Sequence, residues 1–280
     1  MTDQIVGPIA ILGAGNVGQA LARGLVSSAR VAAEDITLTR RHADKLAELA
    51  AAGFGTTTDN RAAIAIARHV IIAVQPSQLD ELMAEIRGAL DPNRHTLISV
   101  VTGAPLRQIQ SQVGPDIPVV RAIPNTAIAI GQSMTCLAAG PAHRDALDRA
   151  RALFESVGAT LVIDESMTEA ATALCACGVA FFLRSIRAAS QGGIEIGFHP
   201  DEALLMAAQT ARGAAGLLIR DGSHPESEID RVTTPRGCTI AGLNEMEHRG
   251  FSSAMIKGIV TSARKAVELY QKSDQASETR

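Results

Sequence analysis

The apolar residues in the first half of the chain fall into short continuous runs, separated by stretches with helical spacing. Runs of this kind are typical of strands that are buried on both faces of a parallel sheet. In the intervening stretches the apolar positions recur every three or four residues, which indicates helices. Strands and helices that alternate in this way predict a doubly wound α/β domain. The predicted strands cover 9–12, 35–39, 70–76, 96–101 and 118–122, and Ser77 is placed to cap the helix after the third of them.

The pattern changes near residue 164, where strand-like runs disappear and long Ala- and Leu-rich helical patterns begin. Met206, Met246 and Met255 fall on apolar helix faces, which favours a place in the core. Two long apolar helices with no sheet to cover them need a partner, and the same region of a second copy is the natural one. We therefore expect a homodimer, with larger assemblies of dimers left open. The predicted helices cover 166–192, 200–221, 225–231, a segment from about 239, and 252–270.

A glycine motif of the form G-x-G-x-x-G follows the first predicted strand and opens the first helix. Gly13 allows the sharp exit from the strand, Gly15 lets a pyrophosphate approach the backbone, and Gly18 lets the helix pack closely on the strand. The helix N-terminus would then face the anion. The motif predicts a dinucleotide-binding (Rossmann) domain over 1–163, followed by a helical dimerisation and substrate domain over 164–280. A glycine-rich turn with only a packing role is the alternative.

The end of the second predicted strand bears on the choice of dinucleotide. NAD-specific folds usually place Asp or Glu there, whereas this chain has Arg40 and Arg41. Because a guanidinium binds a 2′-phosphate in a bidentate manner, the two arginines favour NADP, with NADPH preferred and NAD possible. The alternative is that they simply begin a solvated helix.

The net charge, the apolar runs and the cysteine spacing of the chain disfavour several classes of protein. A net charge of −3 with mixed signs gives no basic footprint for nucleic acid. The stretch 1–6 has no leader pattern and the longest apolar run, 170–183, is below spanning length, so we expect no membrane segment. Four cysteines without a C-x-x-C pair fit a reduced, cytoplasmic protein with no metal site. The cysteines could form an oxidant-sensing cluster, although replacement of Ser or Thr at similar volume is the simpler interpretation.

Several segments together resemble the pyrroline-5-carboxylate reductase family over nearly the whole chain. The resemblance implies a Rossmann domain, a helical domain that interlocks two subunits, and NADPH-dependent reduction of 1-pyrroline-5-carboxylate to L-proline. The matching segments are GAGNVG at 13–18, VIIAVQP at 70–76, RAIPNT at 121–126, QGGIEIGF at 191–198, AAQTARGAAGLL at 207–218, HPESEIDRV at 224–232 and TTPRGCTIAGLNEMEHRGF at 233–251.

The resemblance also implies roles for individual residues. Asn125 lies near the nicotinamide, Thr239 hydrogen-bonds the ring nitrogen of the substrate, and the turn at 237–239 holds the substrate carboxylate. The remaining expected cofactor residues are Gly13, Gly15, Asn16, Val17, Gly18, Arg40, Arg41, Val74 and Pro76. The expected substrate residues are Arg236, Gly237, Cys238, Thr239 and Cys177.

Three departures from the family pattern fall near the expected active site. Gln75 replaces a Lys, Arg236 replaces a Gly, and the segment S-G-S-G-P-A-Y is here CACGVAF at 175–181. Two rival activities therefore stay open: an NADP-dependent reductase of a different imine or keto acid, and a non-catalytic NADPH-binding regulator. A β-hydroxyacid dehydrogenase is disfavoured because no Lys lies between Lys45 and Lys257.

Overall fold

A computed structural model describes residues 7–278 of the chain, without the side chains of 221 and 269–278. The stretch 1–6, on which the leader expectation depends, lies outside the described residues.

Within 7–278, eight strands form one sheet in the order β3-β2-β1-β4-β5-β6-β7-β8. The first six strands are mutually parallel, β7 runs antiparallel to β6, and β8 is parallel to β7. The first six follow the dinucleotide-binding order, so the predicted doubly wound fold is confirmed. The strands are β1 (Ile9–Leu12), β2 (Ile36–Thr39), β3 (Gly55–Thr57), β4 (His69–Ile72), β5 (Thr96–Ser99), β6 (Val119–Ile123), β7 (Ser133–Ala139) and β8 (Gly158–Val162).

Helices connect the strands of the sheet and then make up the second half of the chain. The helices are α1 (Asn16–Ser27), α2 (Ala47–Ala51), α3 (Asn60–Ile66), α4 (Leu79–Ile86), α5 (Leu106–Val113), α6 (Arg144–Glu155), α7 (Thr168–Ala171), α8 (Gly178–Glu195), α9 (Pro200–Asp221), α10 (Pro225–Arg231), α11 (Cys238–His248) and α12 (Phe251–Glu278).

The central strand β1 separates two hydrophobic cores. Ile9 and Ile11 join the core that includes α1 and α6, whereas Ala10 and Leu12 join the core that includes α3, α4 and α5. All four side chains are at most 1% exposed. Because side chains alternate along a strand, a fully apolar strand is what a sheet with helices on both faces requires.

The sheet reverses its order between β1 and β4, which places a crevice beyond the carboxyl ends of these two strands. The predicted strand over 70–76 is wrong at its end, because β4 stops at Ile72 and the chain then turns through Pro76–Gln78. The predicted cap is also wrong, since Ser77 lies inside that turn, which Gln75 caps, and Gln78 occupies the cap position of α4. The chain after Ile72 is thus free to line the crevice.

The long helix predicted over 166–192 is observed as a continuous helical run, Glu165–Glu195. It contains a π-helical segment, Thr172–Ala176, which ends where the N–H of Cys177 donates to the carbonyl of Thr172 at 2.9 Å. By length and composition alone this run could cross a membrane. Only 17% of its 18-residue apolar stretch is buried within the single chain. A helix whose apolar face is covered by another subunit has the same composition, so the run is weak grounds for a membrane span.

The chain divides into two compact units. Of the described residues, the first unit takes those up to Cys177 and those from Ser262 onward, and the second comprises Gly178–Thr261. The division between the units falls inside the long helical run, whereas the sequence places a domain boundary at 163/164. The domain boundary remains a prediction.

Helices α8 and α9 pair within the second unit. A Cβ atom at Gly193 would lie 3.0 Å from the Cβ of Ala203, so small residues set this close approach. Beside them an apolar groove of about 1220 Å³ is lined by side chains that include Phe182, Met206 and Met246. Contrary to the prediction of a core position, the two methionines are 41% and 44% exposed in the single chain. A contiguous apolar surface of this kind marks an interaction face.

Candidate active site

The glycine loop between β1 and α1 is held tightly against the sheet. Gly13 has φ +110°, and a Cβ atom there would lie 2.6 Å from the carbonyl oxygen of Ala73 at the end of β4. The N–H groups of Gly13 and Ala14 both donate to the carbonyl of Thr39, at 3.3 and 2.8 Å. Gly13 is therefore required by backbone geometry and by packing together.

Gly15 and Gly18 have different reasons to be glycine. A Cβ atom at Gly18 would lie 2.3 Å from the carbonyl oxygen of Gly13, so this glycine allows α1 to lie against the loop. A Cβ atom at Gly15 would meet nothing within 4 Å, and its φ of −81° suits any residue. Packing alone does not account for Gly15, whereas a ligand that approaches the backbone does.

The N-terminus of α1 is arranged to receive an anion. Asn16, Val17 and Gly18 form its first turn, where N–H groups have no partner within the helix. The first turn holds no acidic side chain, and Val17 is 44% exposed. These three predicted residues thus lie together beside the open face of Gly15, where the helix dipole favours negative charge.

A cleft of about 470 Å³ lies against this loop and is lined by Gly13, Gly15, Arg40, Arg41 and Val74. Arg40 extends across it, and its Nη1 donates to the carbonyl of Ala14 at 3.1 Å. The guanidinium of Arg41 instead pairs with the carboxylate of Glu81. The two predicted arginines therefore reach the same cleft with different partners.

The end of β2 has no carboxylate of its own. Thr39 occupies it, and its hydroxyl donates to Oδ1 of Asn60 at 2.6 Å. The amide nitrogen of Asn60 in turn donates to both oxygens of Glu85, at 3.2 and 3.0 Å. No sequence motif predicts this chain of hydrogen bonds, because Thr39, Asn60 and Glu85 are far apart in the sequence.

The segment after β4 forms another wall of the cleft. Val74, Gln75 and Gln78 line it, whereas Pro76 starts the short turn behind it. The N–H of Gln75 donates to Oε1 of Gln78 at 3.3 Å, which fixes this turn. Gln75 thus places an uncharged amide at the position of the lysine found in the resembled family.

A second cavity, of about 160 Å³, lies at the ends of β5 and β6 beside the first turn of α1. Val17, Thr102, Arg121, Asn125 and Thr172 are among its lining residues. Asn125 anchors the wall: its Oδ1 accepts from the N–H of Ala127 at 3.0 Å, and its Nδ2 donates to the carbonyl of Cys175 at 3.2 Å. The predicted Asn125 is thus fixed between β6 and the π segment.

Arg121 was not singled out from the sequence, yet it is the charged group of this cavity. It is 3% exposed, and its Nη1 donates to the hydroxyl of Thr168 at 2.8 Å. The carboxylates of Glu165 and Glu169 lie 3.5 and 3.7 Å from its guanidinium. Buried positive charge is therefore balanced by two carboxylates. Arg121 lies on β6, whereas its carboxylate partners lie just before α7 and within it, so no local sequence pattern indicates this pairing.

The π segment brings two thiols together. The Sγ atoms of Cys136 on β7 and Cys175 lie 3.8 Å apart in an apolar cluster with Ile123. A hydrogen bond from the Cys136 thiol lowers the pKa of Cys175 to about 7. The same bond, together with burial, raises the pKa of Cys136. Cys177, the predicted substrate residue, follows this segment and is partly buried.

The predicted substrate turn lies in the second unit, where the N–H of Gly237 donates to the carbonyl of Thr234 at 2.9 Å. Arg236 adopts φ +60°, a left-handed conformation that glycine would adopt without strain. Gly237 then caps α11, whose first residues are Cys238 and Thr239, both exposed. The turn therefore presents helix-terminal N–H groups and one hydroxyl to the surface.

Sequence profiles of two known families match the chain. The profile described as pyrroline-5-carboxylate reductase dimerisation matches residues 165–269. The profile described as NADP oxidoreductase coenzyme F420-dependent matches residues 8–103, which include the glycine loop and the cleft.

Two curated proteins from Dictyostelium discoideum resemble the chain over most of its length. Pyrroline-5-carboxylate reductase 1 is 50% identical over 279 residues, which cover 95% of this chain and 50% of that protein. The chain thus spans about half the length of that relative. Pyrroline-5-carboxylate reductase 2 is 47% identical over 274 residues, which cover 92% of this chain and 91% of that protein.

Solved structures agree with the profiles on the fold. A pyrroline-5-carboxylate reductase from Coxiella burnetii superimposes with a TM-score of 0.85 at 26% identity, covering 94% of this chain and 98% of that one. The Plasmodium falciparum pyrroline carboxylate reductase with NADP bound gives a TM-score of 0.86 at 19% identity, covering 95% and 99%. The chain belongs to the pyrroline-5-carboxylate reductase family, whose members are oxidoreductases that act on the C=N bond of a cyclic imine.

Proposed function

We propose that the chain reduces 1-pyrroline-5-carboxylate to L-proline, the final step of proline biosynthesis, with NADPH as the reductant. Family membership supports the reaction. The observation that carries the cofactor assignment is the open position at Gly15, beside a helix N-terminus and a cleft that Arg40 enters. When bound, NADPH supplies the hydride.

The glycine loop would hold the cofactor pyrophosphate. Asn16, Val17 and Gly18 offer backbone N–H groups, and Gly15, whose own N–H donates to the carbonyl of Gly13, offers an unobstructed surface. Gly13 keeps the loop close to β4, so that Val74 and Gln75 form the opposite wall, with the turn that begins at Pro76 behind it. A diphosphate at a helix N-terminus is stabilised by these N–H groups and by the helix dipole.

Arg40 is the residue that we assign to the 2′-phosphate. It stands where a carboxylate would repel this group, and its guanidinium bonds a neutral backbone carbonyl rather than an acidic side chain. Arg41 contributes less, because its ion pair with Glu81 already offsets its charge. NADPH is therefore preferred, and NADH remains a weaker reductant.

Substrate binding is assigned to the turn at the start of α11. In the turn at 237–239, which Gly237 shapes as the helix cap, the N–H groups of Cys238 and Thr239 would hold the carboxylate, with the Arg236 guanidinium adjacent. The hydroxyl of Thr239 would donate to the ring nitrogen or relay a proton from water, since it is too weak an acid to act alone. Asn125 fixes the wall of the cofactor cavity, and Cys177 is assigned a place near the substrate.

The assembly that we propose is a homodimer in the cytoplasm, with residues 1–163 as the cofactor domain and 164–280 as the dimerisation and substrate domain. The dimerisation profile over 165–269 and the exposed apolar groove of the second unit support the dimer. Four free thiols are consistent with a reducing compartment.

A different cyclic imine is the second candidate substrate. The strained Arg236 and the thiols at Cys175 and Cys177 stand where the resembled family has Gly and Ser, so these positions differ from the family pattern in charge and size. Turnover of pyrroline-5-carboxylate should be compared with turnover of a six-membered cyclic imine carboxylate and an open-chain keto acid, by following NADPH oxidation.

Faster turnover of the five-membered ring than of either alternative is the expected result. A preference for the six-membered ring or the keto acid would reassign the substrate. NADPH binding without turnover of any of the three would instead favour a regulator.

A further inference from the structure

We propose that Cys136 and Cys175 form a two-thiol site that a hydroperoxide oxidises to a disulfide, and that this bond remodels the cavity anchored by Asn125. The assignment of that cavity to the cofactor rests on the proposed function, whereas the thiol pair itself does not.

The two sulfur atoms already lie in contact. Their separation is 3.8 Å, so a disulfide needs an approach of about 1.8 Å. The sequence left an oxidant-sensing cluster open but did not pair these two cysteines, since β7 and the π segment are remote in the chain and the cysteines form no C-x-x-C motif. Cys136 is 3% exposed, while Cys175 is partly buried and is thus the thiol that a small oxidant reaches first.

The two thiols have different roles in the proposed oxidation. The Cys175 thiolate attacks one oxygen of the hydroperoxide, so that an S–O bond forms, the O–O bond breaks, and an alcohol or water leaves. Cys136 then attacks the sulfenic sulfur, and its proton leaves with the displaced hydroxide as water. Sulfur loses two electrons and the peroxide gains two. The lowered pKa of Cys175, caused by its bond to Cys136, supports this order.

The movement that closes the bond would come from the π segment. Cys136 is held in β7, which is hydrogen-bonded to β6 on one side and β8 on the other. Cys175 lies in Thr172–Ala176, whose π geometry replaces the regular α-helical bonds. π segments often occur at functional sites, where a small local shift changes the position of side chains.

The shift would reach the cavity directly. The carbonyl of Cys175 accepts from Nδ2 of Asn125 at 3.2 Å, and both Thr172 and Ala176 line the cavity. The cavity has a volume of only about 160 Å³. A movement of its π-segment wall by a distance near the required approach of about 1.8 Å would therefore change its shape substantially. We therefore expect the oxidised protein to bind NADPH about tenfold or more weakly.

The test uses the full chain, which is first reduced with a dithiol. The dithiol is then removed, and the protein is titrated with hydrogen peroxide. Intact mass, alkylation of free thiols and non-reducing peptide mapping should show a loss of about 2 Da, two lost thiols and a link between Cys136 and Cys175. The NADPH affinity, measured by fluorescence, should fall in parallel and return when the dithiol is added again.

Variants distinguish oxidation of the Cys136–Cys175 pair from oxidation elsewhere in the protein. Cys136→Ala and Cys175→Ser should each keep their NADPH affinity under the same peroxide dose, whereas Cys238→Ser should still lose two thiols with the same link. Two variants within the pair guard against misfolding of either one. A link that maps to Cys177, or a mass gain of one or two oxygens without a link, would overturn the proposal.

The affinity data separate this proposal from the proposed function. A disulfide that forms without any change in NADPH affinity would overturn the coupling to the cavity. Reduced protein that binds no NADPH would refute the proposed function, while the mass and mapping data would still decide whether the thiol pair exists.

Discussion

Replacing Gly15 by alanine separates the cofactor role of the glycine loop from its structural role. The new Cβ would meet no protein atom within 4 Å, and φ of −81° is ordinary for alanine. Loss of glycine at the helix cap costs about 0.5–1 kcal/mol, which the reduced entropy of the unfolded chain offsets by a similar amount. The free energy of unfolding should therefore change by no more than about 0.5 kcal/mol.

The ligand should respond differently. The methyl group added by Gly15→Ala would enter the open space that the pyrophosphate needs, and we expect the Kd for NADPH to rise at least tenfold, which is about 1.4 kcal/mol. Gly18→Ala is the matched control: its Cβ would lie 2.3 Å from a backbone oxygen. Overpacking, less the better helix propensity of alanine, should cost about 2 kcal/mol and lower Tm by about 4–8 °C.

Thermal melts and NADPH titrations of both variants check this pair of expectations. If Gly15→Ala keeps the wild-type Kd, the loop does not hold the pyrophosphate. If Gly15→Ala melts as early as Gly18→Ala, the open position at Gly15 is misjudged and the loss of affinity would carry no information about binding.

Four further outcomes are expected. Thr239→Ala should lower kcat by about 10- to 100-fold with the NADPH Kd unchanged, and recovery in Thr239→Ser would tie the effect to the hydroxyl. Arg40→Ala should raise the Kd for NADPH about tenfold but barely that for NADH, whereas Arg41→Ala should have a smaller effect; equal losses would refute the assignment. Arg236→Gly and Arg236→Ala should raise KM alike if the guanidinium binds the carboxylate, while only the glycine variant removes the left-handed strain of about 1–2 kcal/mol. Burial, with Arg149 and Arg68 nearby, lowers the pKa of His69 to about 4, so the unfolded chain takes up the proton first and stability falls as the pH drops from 6.5 towards 4. His69→Leu should remove about 3 kcal/mol of this acid sensitivity in denaturation measured across that range.

The sequence predicted the fold well where one local pattern decides the structure. The helix α9 has the predicted bounds because Pro200 starts it and Gly222, in a left-handed conformation, ends it. The strand β3 escaped prediction since Gly55–Thr57 is short and partly exposed, and only its pairing with β2 makes it a strand. The end of β4 was misplaced because an apolar run does not reveal where the chain leaves the sheet.

The candidate site was predictable only in its contiguous parts. The glycine loop and the turn before α11 each lie within one segment, so their residue types carry the signal. Arg121 and its carboxylate partners depend on a contact between β6 and α7, which no spacing in the sequence encodes. The same holds for the different partners of Arg40 and Arg41, which follow from the direction of each side chain after β2.

The apolar groove of the second unit has a consequence for how the protein behaves at low concentration. Side chains such as Phe182 and Ile196 are 60% and 77% exposed in the single chain. In a homodimer built on this face, much of the hydrophobic stabilisation arises only when two chains meet, so folding and assembly share one equilibrium. Each tenfold dilution would then remove about 1.4 kcal/mol from the stability of the dimer relative to separate unfolded chains. The amount of protein present would thus set how much of it is folded.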